Sequence, residues 1–177
     1  PESGWITWSP FDPPYGDLRH SSDGGATWNN VDIPGDTRLT DTGNNCTLTN
    51  AQAFAPGSAL FLAVCWNYEA SAYQSWLYRT ADTGESWQSS ALPNLMLVYD
   101  DNYLGPAPQL LMLNETTGWM IQCEPPTDAS ACDDPAARSL ALTLDGGKTW
   151  TILVPLPPEL APMIDAVGVQ RFSFVDA

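Results

Sequence analysis

The sequence is poor in positive charge. Lys148 is its one lysine, and only Arg19, Arg38, Arg79, Arg138 and Arg171 join it against 21 Asp and Glu, for a formal net charge of −15. Such a chain repels phosphate backbones, so no nucleic-acid partner is expected. Anionic membrane surfaces are disfavoured by the same repulsion, and no apolar run is long enough to span a bilayer. Histidine is scarcer still. The lone His20 precedes a turn and reads as a surface residue rather than a base. No Cys-x-x-Cys pair accompanies it, which argues against a zinc site. No phosphate-binding glycine loop and no catalytic triad is visible, so no metal, cofactor or catalytic residue is assigned.

What is present suits a compact domain. The 177 residues are enough for a sizeable core, and 44% of them are hydrophobic. Sixteen Pro and thirteen Gly imply many turns, and eight Trp imply a repeated core anchor or a binding surface. Four cysteines, Cys46, Cys65, Cys123 and Cys132, form an even count in a loop-rich acidic chain. That pattern predicts two disulfides and an oxidising, extracytoplasmic setting, secreted or on the cell surface. Three connectivities are open. The chain starts at Pro1 without Met, so it is expected to be processed or to be a piece of something longer.

Three octets repeat: SSDGGATW at 21–28, TADTGESW at 80–87 and TLDGGKTW at 143–150. They share Ser/Thr-x-Asp-x-Gly-x-Thr/Ser-Trp. The pattern selects Ser21, Asp23, Gly25, Thr27 and Trp28 in the first, then Thr80, Asp82, Gly84, Ser86 and Trp87, then Thr143, Asp145, Gly147, Thr149 and Trp150. Asp bonds nearby backbone N–H groups and Gly accepts positive φ, so each octet reads as strand, tight turn, strand. Internal repetition of this kind marks a repeat architecture. The octets resemble the Asp-box, or BNR repeat, of sialidase-like β-propellers. The segment LLMLNETTGWMIQC is similar, locally, to propellers of the photosystem II assembly-factor type. The resemblance implies an all-β propeller of four-stranded antiparallel blades, with the octets at the periphery serving structure.

The intervening sequence is read as four strands per period, a to d. AQAFA (51–55) and PQLLML (108–113) are inner strands a. ALFLAVC (59–65) and GWMIQC (118–123) are strands b. SWLYRTA (75–81) and RSLALTL (138–144) are strands c, and SWQSS (86–90) and TWTILV (149–154) are strands d. The organisation is strands b to d in 1–33, full blades at 51–90 and 108–154, and the first strand of another at 171–177. About three blades' worth is too few to close a ring, so the segment is expected to belong to a larger propeller, completed by other blades of the same chain or by a second copy.

Connections in an antiparallel meander alternate between two ends. The short a–b turns and the octets share one end. The longer b–c loops (10–16, 66–74, 124–137) and d–a loops (34–50, 91–107, 155–170) share the other, where function on such scaffolds resides. Cys65 and Cys123 read as equivalent strand-b ends. The favoured pairing is Cys123–Cys132, stapling a b–c loop, with Cys46–Cys65 tying a d–a loop to strand b. Aromatics gather at this end: Trp8, Phe11, Tyr15, Trp66, Tyr68, Tyr73, Tyr99 and Tyr103. With Glu69, Asp100 and Asp101 they suit a sugar or a protein patch. Arg171 is the best single arginine for a ligand contact.

The sialidase comparison implies an arginine triad, a Tyr–Glu pair, an acidic proton donor and an Arg-Ile/Leu-Pro motif; that motif is absent and the five arginines do not make a triad, so the resemblance stops at the scaffold. Similarity to xyloglucan-cleaving enzymes implies two acidic residues across a cleft, yet no pair such as Asp133 and Asp134 is singled out by spacing. The expected function is therefore a non-catalytic extracytoplasmic binding or assembly scaffold, presenting its long-loop face to a protein or glycan. The alternative is a blade segment of a secreted glycoside hydrolase. NCT (45–47) and NET (114–116) match the N-glycosylation pattern, with Cys46 inside the first.

Overall fold

The structure, a computed structural model, describes residues 3–8, 17–33, 44–67, 72–92, 97–99, 106–108, 110–123 and 138–155. It is all-β and antiparallel. Two compact units, Pro1–Leu92 and Pro93–Ala177, divide the chain.

The first unit holds two sheets. One is three-stranded, with β1 (Gly4–Trp8), β2 (Asp17–Ser21) and the short β3 (Asn29–Asn30) in that order. The other is a four-stranded meander of β4 (Asn44–Ala55), β5 (Ser58–Asn67), β6 (Ala72–Thr80) and β7 (Gln88–Leu92). In the second unit β10 (Leu110–Met112), β11 (Gly118–Cys123), β12 (Arg138–Thr143) and β13 (Thr151–Pro155) form a second four-stranded meander. A separate ribbon pairs β8 (Leu97–Tyr99) with β9 (Pro106–Pro108).

Strand β5 explains why the first unit coheres. Phe61, Leu62, Ala63 and Val64 are consecutive and all at most 2% exposed. Side chains alternate between faces, so this sheet is apolar and buried on both. Its Phe61, Ala63, Cys65 and Tyr78 pack in one cluster with Trp5 and Leu18 of the three-stranded sheet. Phe61 stacks on Tyr78 with ring centroids 4.9 Å apart, and Trp87 meets Phe61 edge-on at 5.3 Å and Trp5 edge-on at 5.8 Å. The second octet's tryptophan thus seals the seam between two sheets.

Several boundaries differ from the sequence reading, each for a local reason. Strand β4 begins at Asn44, not 51, and bends where its register slips between Thr49 and Gln52. Asn50 absorbs that slip at φ 56°, a conformation asparagine tolerates, with Gln52 Nε2 donating to its side-chain oxygen at 2.8 Å. The predicted loop 66–74 contracts because Trp66 pairs directly with Tyr73, and Asn67 with Ala72, extending the ladder. The predicted loop 91–107 holds the β8–β9 ribbon. Strand β13 carries a bulge opposite Leu140/Ala141, where Val154 and Ile152 are the successive partners and Leu153 is the extra residue.

His20 is not a surface residue. It pairs with Trp5 across the β1–β2 ladder, is 9% exposed, lies 4.5 Å from the Trp5 ring and bonds Ser3 Oγ through Nε2 at 3.0 Å. Its position on the strand puts it on the face that packs toward the neighbouring sheet.

Candidate functional site

The octets connect β2 to β3, β6 to β7 and β12 to β13, and all three fold alike. The opening hydroxyl does two jobs. Ser21 Oγ donates to Asp23 (2.8 Å) and accepts from the Gly25 N–H (2.8 Å). Thr80 Oγ1 donates to Asp82 (2.7 Å) and accepts from Gly84 (2.9 Å). Thr143 Oγ1 donates to Asp145 (2.9 Å) and accepts from Gly147 (2.6 Å). Each carboxylate then reaches four residues on. Asp23 accepts from Thr27 N–H at 2.9 Å and Thr27 Oγ1 at 2.6 Å. Asp145 does the same with Thr149 at 2.9 and 2.6 Å, and Asp82 with Ser86 N–H at 2.9 Å and the Ser86 hydroxyl.

These bonds favour the charged carboxylate. Asp23, Asp82 and Asp145 are each lowered from 3.8 to about 2, chiefly by the hydroxyls of Thr27, Ser86 and Thr149. A carboxylate so stabilised is a poor proton donor at neutral pH, and its lone pairs are committed to its own turn. The fourth and fifth octet positions run at positive φ, 72° and 92° in Gly24–Gly25 and 75° and 82° in Gly146–Gly147. The second octet places Thr83 there at φ 63°, a strained choice for a β-branched residue.

The fourth position also clasps the neighbouring a–b turn, a contact the sequence reading missed. Thr83 N–H donates to Gly57 O at 2.9 Å, and Gly146 N–H donates to Thr116 O at 2.7 Å. The recurrence of a short turn ahead of the second and third octets is the signal that could have found it. Asn114 shapes the second of these turns, its side-chain oxygen accepting from Thr116 N–H, Thr116 Oγ1 and Thr117 N–H at 2.9, 3.0 and 2.8 Å.

The opposite end is less repetitive. Cys46 faces Cys65 directly across β4 and β5, and the two form a disulfide. The bridge joins adjacent strands of one sheet rather than a loop to a strand, because β4 reaches Cys46. Next along the same ladder lie Asn45, Trp66 and Tyr73, in register on three adjacent strands. Trp66 and Tyr73 are thus brought together at a sheet end rather than on a loop. Trp8 ends β1 opposite Asp17, and Tyr99 pairs with Pro106 in the ribbon. Cys65 and Cys123 are not equivalent. Counted from the residue facing the octet's first position, Cys65 is six from Ala59 and Cys123 is five from Gly118. Tyr15, Tyr68, Glu69, Tyr103, Cys132 and Arg171 lie outside the described residues, as do Phe11, Asp100, Asp101, Asp133, Asp134 and the segment 171–177.

Among the described residues no group of three or more His, Cys, Asp or Glu could hold a metal ion, and no helix is long and apolar enough to cross a membrane. No protein-family model matches the chain, and no curated protein matches it. Among solved structures the chain is similar to "YCF48 bound to D1 peptide", at 18% identity and TM-score 0.46, over 86% of this chain and 36% of that one. It is also similar to YCF48 from Cyanidioschyzon merolae, at 18% identity and TM-score 0.44, over 90% of this chain and 42% of that one. The chain therefore spans less than half the length of these solved chains.

Proposed function

We propose that the chain is part of a propeller-type scaffold that works outside the cytoplasm, without catalysis, and binds a protein or glycan at the end of its sheets opposite the octets. The observation that carries the reading is the contrast between the ends. At the octet end the polar groups of each turn are spent on one another, so little is left to grip a ligand. At the other end the pattern breaks, and aromatic residues replace it: Trp66 beside Tyr73 in one sheet and Trp8 in another. Aromatic rings offer large contact area at small entropic cost, which suits sugar faces and protein hot spots alike. A disulfide within the sheet supports an oxidising setting.

The test has two arms. The protein is screened for turnover of a panel of aryl glycosides, sialosides and xyloglucan oligosaccharides, and for binding to immobilised glycans and to an extracytoplasmic peptide library. The expected result is binding without turnover, lost in Trp66→Ala and Tyr73→Ala but kept in Thr27→Ala. Turnover of any glycoside that disappears with one neutralised carboxylate would replace this reading with a glycosidase.

A further inference from the structure

The octet turn asks for glycine at the place where glycine leaves the chain chemically vulnerable. The residue after each octet aspartate runs at positive φ, 72° at Gly24, 63° at Thr83 and 75° at Gly146. Glycine meets that demand without strain, and it gives the sequence its two Asp–Gly steps, Asp23–Gly24 and Asp145–Gly146. With no side chain to screen it, a glycine nitrogen can attack the Cγ of the aspartate before it. An N–Cγ bond forms, a Cγ–O bond breaks, and the carboxyl oxygen leaves as water with the carboxyl proton and the amide proton. The succinimide so formed takes up a water from solvent. Addition at Cγ restores aspartate. Addition at the backbone carbonyl carbon leaves isoaspartate, with the main chain rerouted through the side chain.

Attack needs a carboxyl free to turn its Cγ onto the next nitrogen, and a proton on the oxygen that leaves. The octet denies both. Asp23 Oδ1 accepts from Ser21 Oγ at 2.8 Å and from Thr27 N–H at 2.9 Å, and Oδ2 accepts from Thr27 Oγ1 at 2.6 Å. Both oxygens are tied into their own turn. The same donors keep the proton off, with the Thr27 hydroxyl the first cause of a value lowered to about 2. In the third octet Thr143 and Thr149 hold Asp145 in the same way, and Lys148 N–H adds a bond at 3.1 Å. There the attacking nitrogen is held as well. Gly146 is buried, and its N–H donates to Thr116 O at 2.7 Å. Asp23 and Gly24 are exposed.

We propose that Asp23–Gly24 is a latent isoaspartate-forming site held closed by the Thr27 hydroxyl, and that the third octet closes the equivalent step twice, at the carboxylate and at the attacking nitrogen. The Ser or Thr at the seventh octet position thus protects the chain chemically as well as bracing the turn. The second octet reaches the same end differently. Thr83 puts a β-branched side chain on the attacking residue, which screens its nitrogen while forcing a left-handed φ on a residue that resists it.

The experiment incubates the folded protein at neutral pH, beside the same chain unfolded in denaturant, and quantifies isoaspartate at each octet by peptide mapping. The folded wild type should form isoaspartate at Asp23 about tenfold more slowly than the unfolded chain, or slower still, a factor that one hydrogen bond to a charged group supports. Thr27→Ala should raise the rate at Asp23 by about tenfold and leave Asp145 at its wild-type level. Thr27→Ser should keep the site closed, because a serine hydroxyl already serves at Ser86 in the second octet. Thr149→Ala should raise Asp145 by less, since Gly146 stays clasped to Thr116. A folded wild type as labile at Asp23 as the unfolded chain overturns the proposal. So does a Thr27→Ala variant in which Asp23 stays inert. A rise at both octets in that variant also overturns it, by placing the protection in global folding rather than in the hydroxyl. None of these readouts involves the opposite end of the sheets, so the binding reading stands or falls separately.

Discussion

The two four-stranded sheets start from the same octet and end differently. In β4–β7 the strands run 12, 10, 9 and 5 residues, and a disulfide crosses the first two. In β10–β13 they run 3, 6, 6 and 5. The octet nucleates register at one end of each sheet and says nothing about how far pairing continues. Extension is decided at the other end, by residues such as Asn45, Trp66 and Tyr73 that pair where the sequence suggested loops. The repeat standardises the scaffold and leaves the opposite end free to vary.

The largest effects should fall on the long sheet. Phe61→Ala removes a ring held by Tyr78 and Trp87 and should cost about 3–5 kcal/mol in chemical denaturation, and Met120→Ala about 2–5. Replacing Cys46 and Cys65 together with Ala should cost about 2–4 kcal/mol, through lost restriction of the unfolded chain, and should leave the melting of the second unit unchanged. Equal destabilisation of both units would show that they unfold as one.

The next comparison separates the octets. Thr80→Val and Thr143→Val each leave a glycine N–H without its acceptor, half-buried at Gly84 and buried at Gly147, and take one of the donors from the octet carboxylate, so each should cost about 1–3 kcal/mol, more in the third octet than in the second. The tryptophans differ more. Trp87 Nε1 donates to Gly84 O at 3.1 Å, whereas the buried Trp150 Nε1 meets no partner among the described residues. Trp87→Phe should therefore cost about 1 kcal/mol beyond the lost area, and Trp150→Phe close to none of that extra. Thr83→Gly should be the reverse of a loss, because relief of the left-handed conformation offsets the added chain entropy, for a net gain of up to about 1 kcal/mol in thermal unfolding.

Acid gives the smallest and broadest test. The three octet aspartates have folded values near 2 against 3.8, so their contribution is complete above the ordinary value and disappears as pH falls through about 2. A triple Asp23→Asn, Asp82→Asn, Asp145→Asn variant should melt below the wild type at pH 6, and the gap should close between pH 4 and 2. A gap that persists at pH 2 would mean the carboxylates act through shape rather than charge.

Much of the fold was legible in the sequence because the octet couples several local demands: a hydroxyl, a carboxylate two residues on, a backbone that turns left-handed, and an indole. Those demands are met within eight residues, so the letters alone reveal the turn and the strands on either side. The candidate site was less legible. Trp66 and Tyr73 read as loop residues because nothing local says that a ladder will continue, and His20 read as exposed because polarity was weighed without its partner strand.

The sequence by itself determined the antiparallel four-stranded repeat and the octet geometry. Each of these follows from residue type at fixed short spacing, where the interacting atoms are neighbours in the chain. The tertiary structure alone decided that Cys46 and Cys65 face each other within one sheet and that Cys65 and Cys123 fall on different register positions. Those facts depend on strand register. A one-residue slip inverts a strand's faces without altering its local pattern, so only the assembled sheets could settle them.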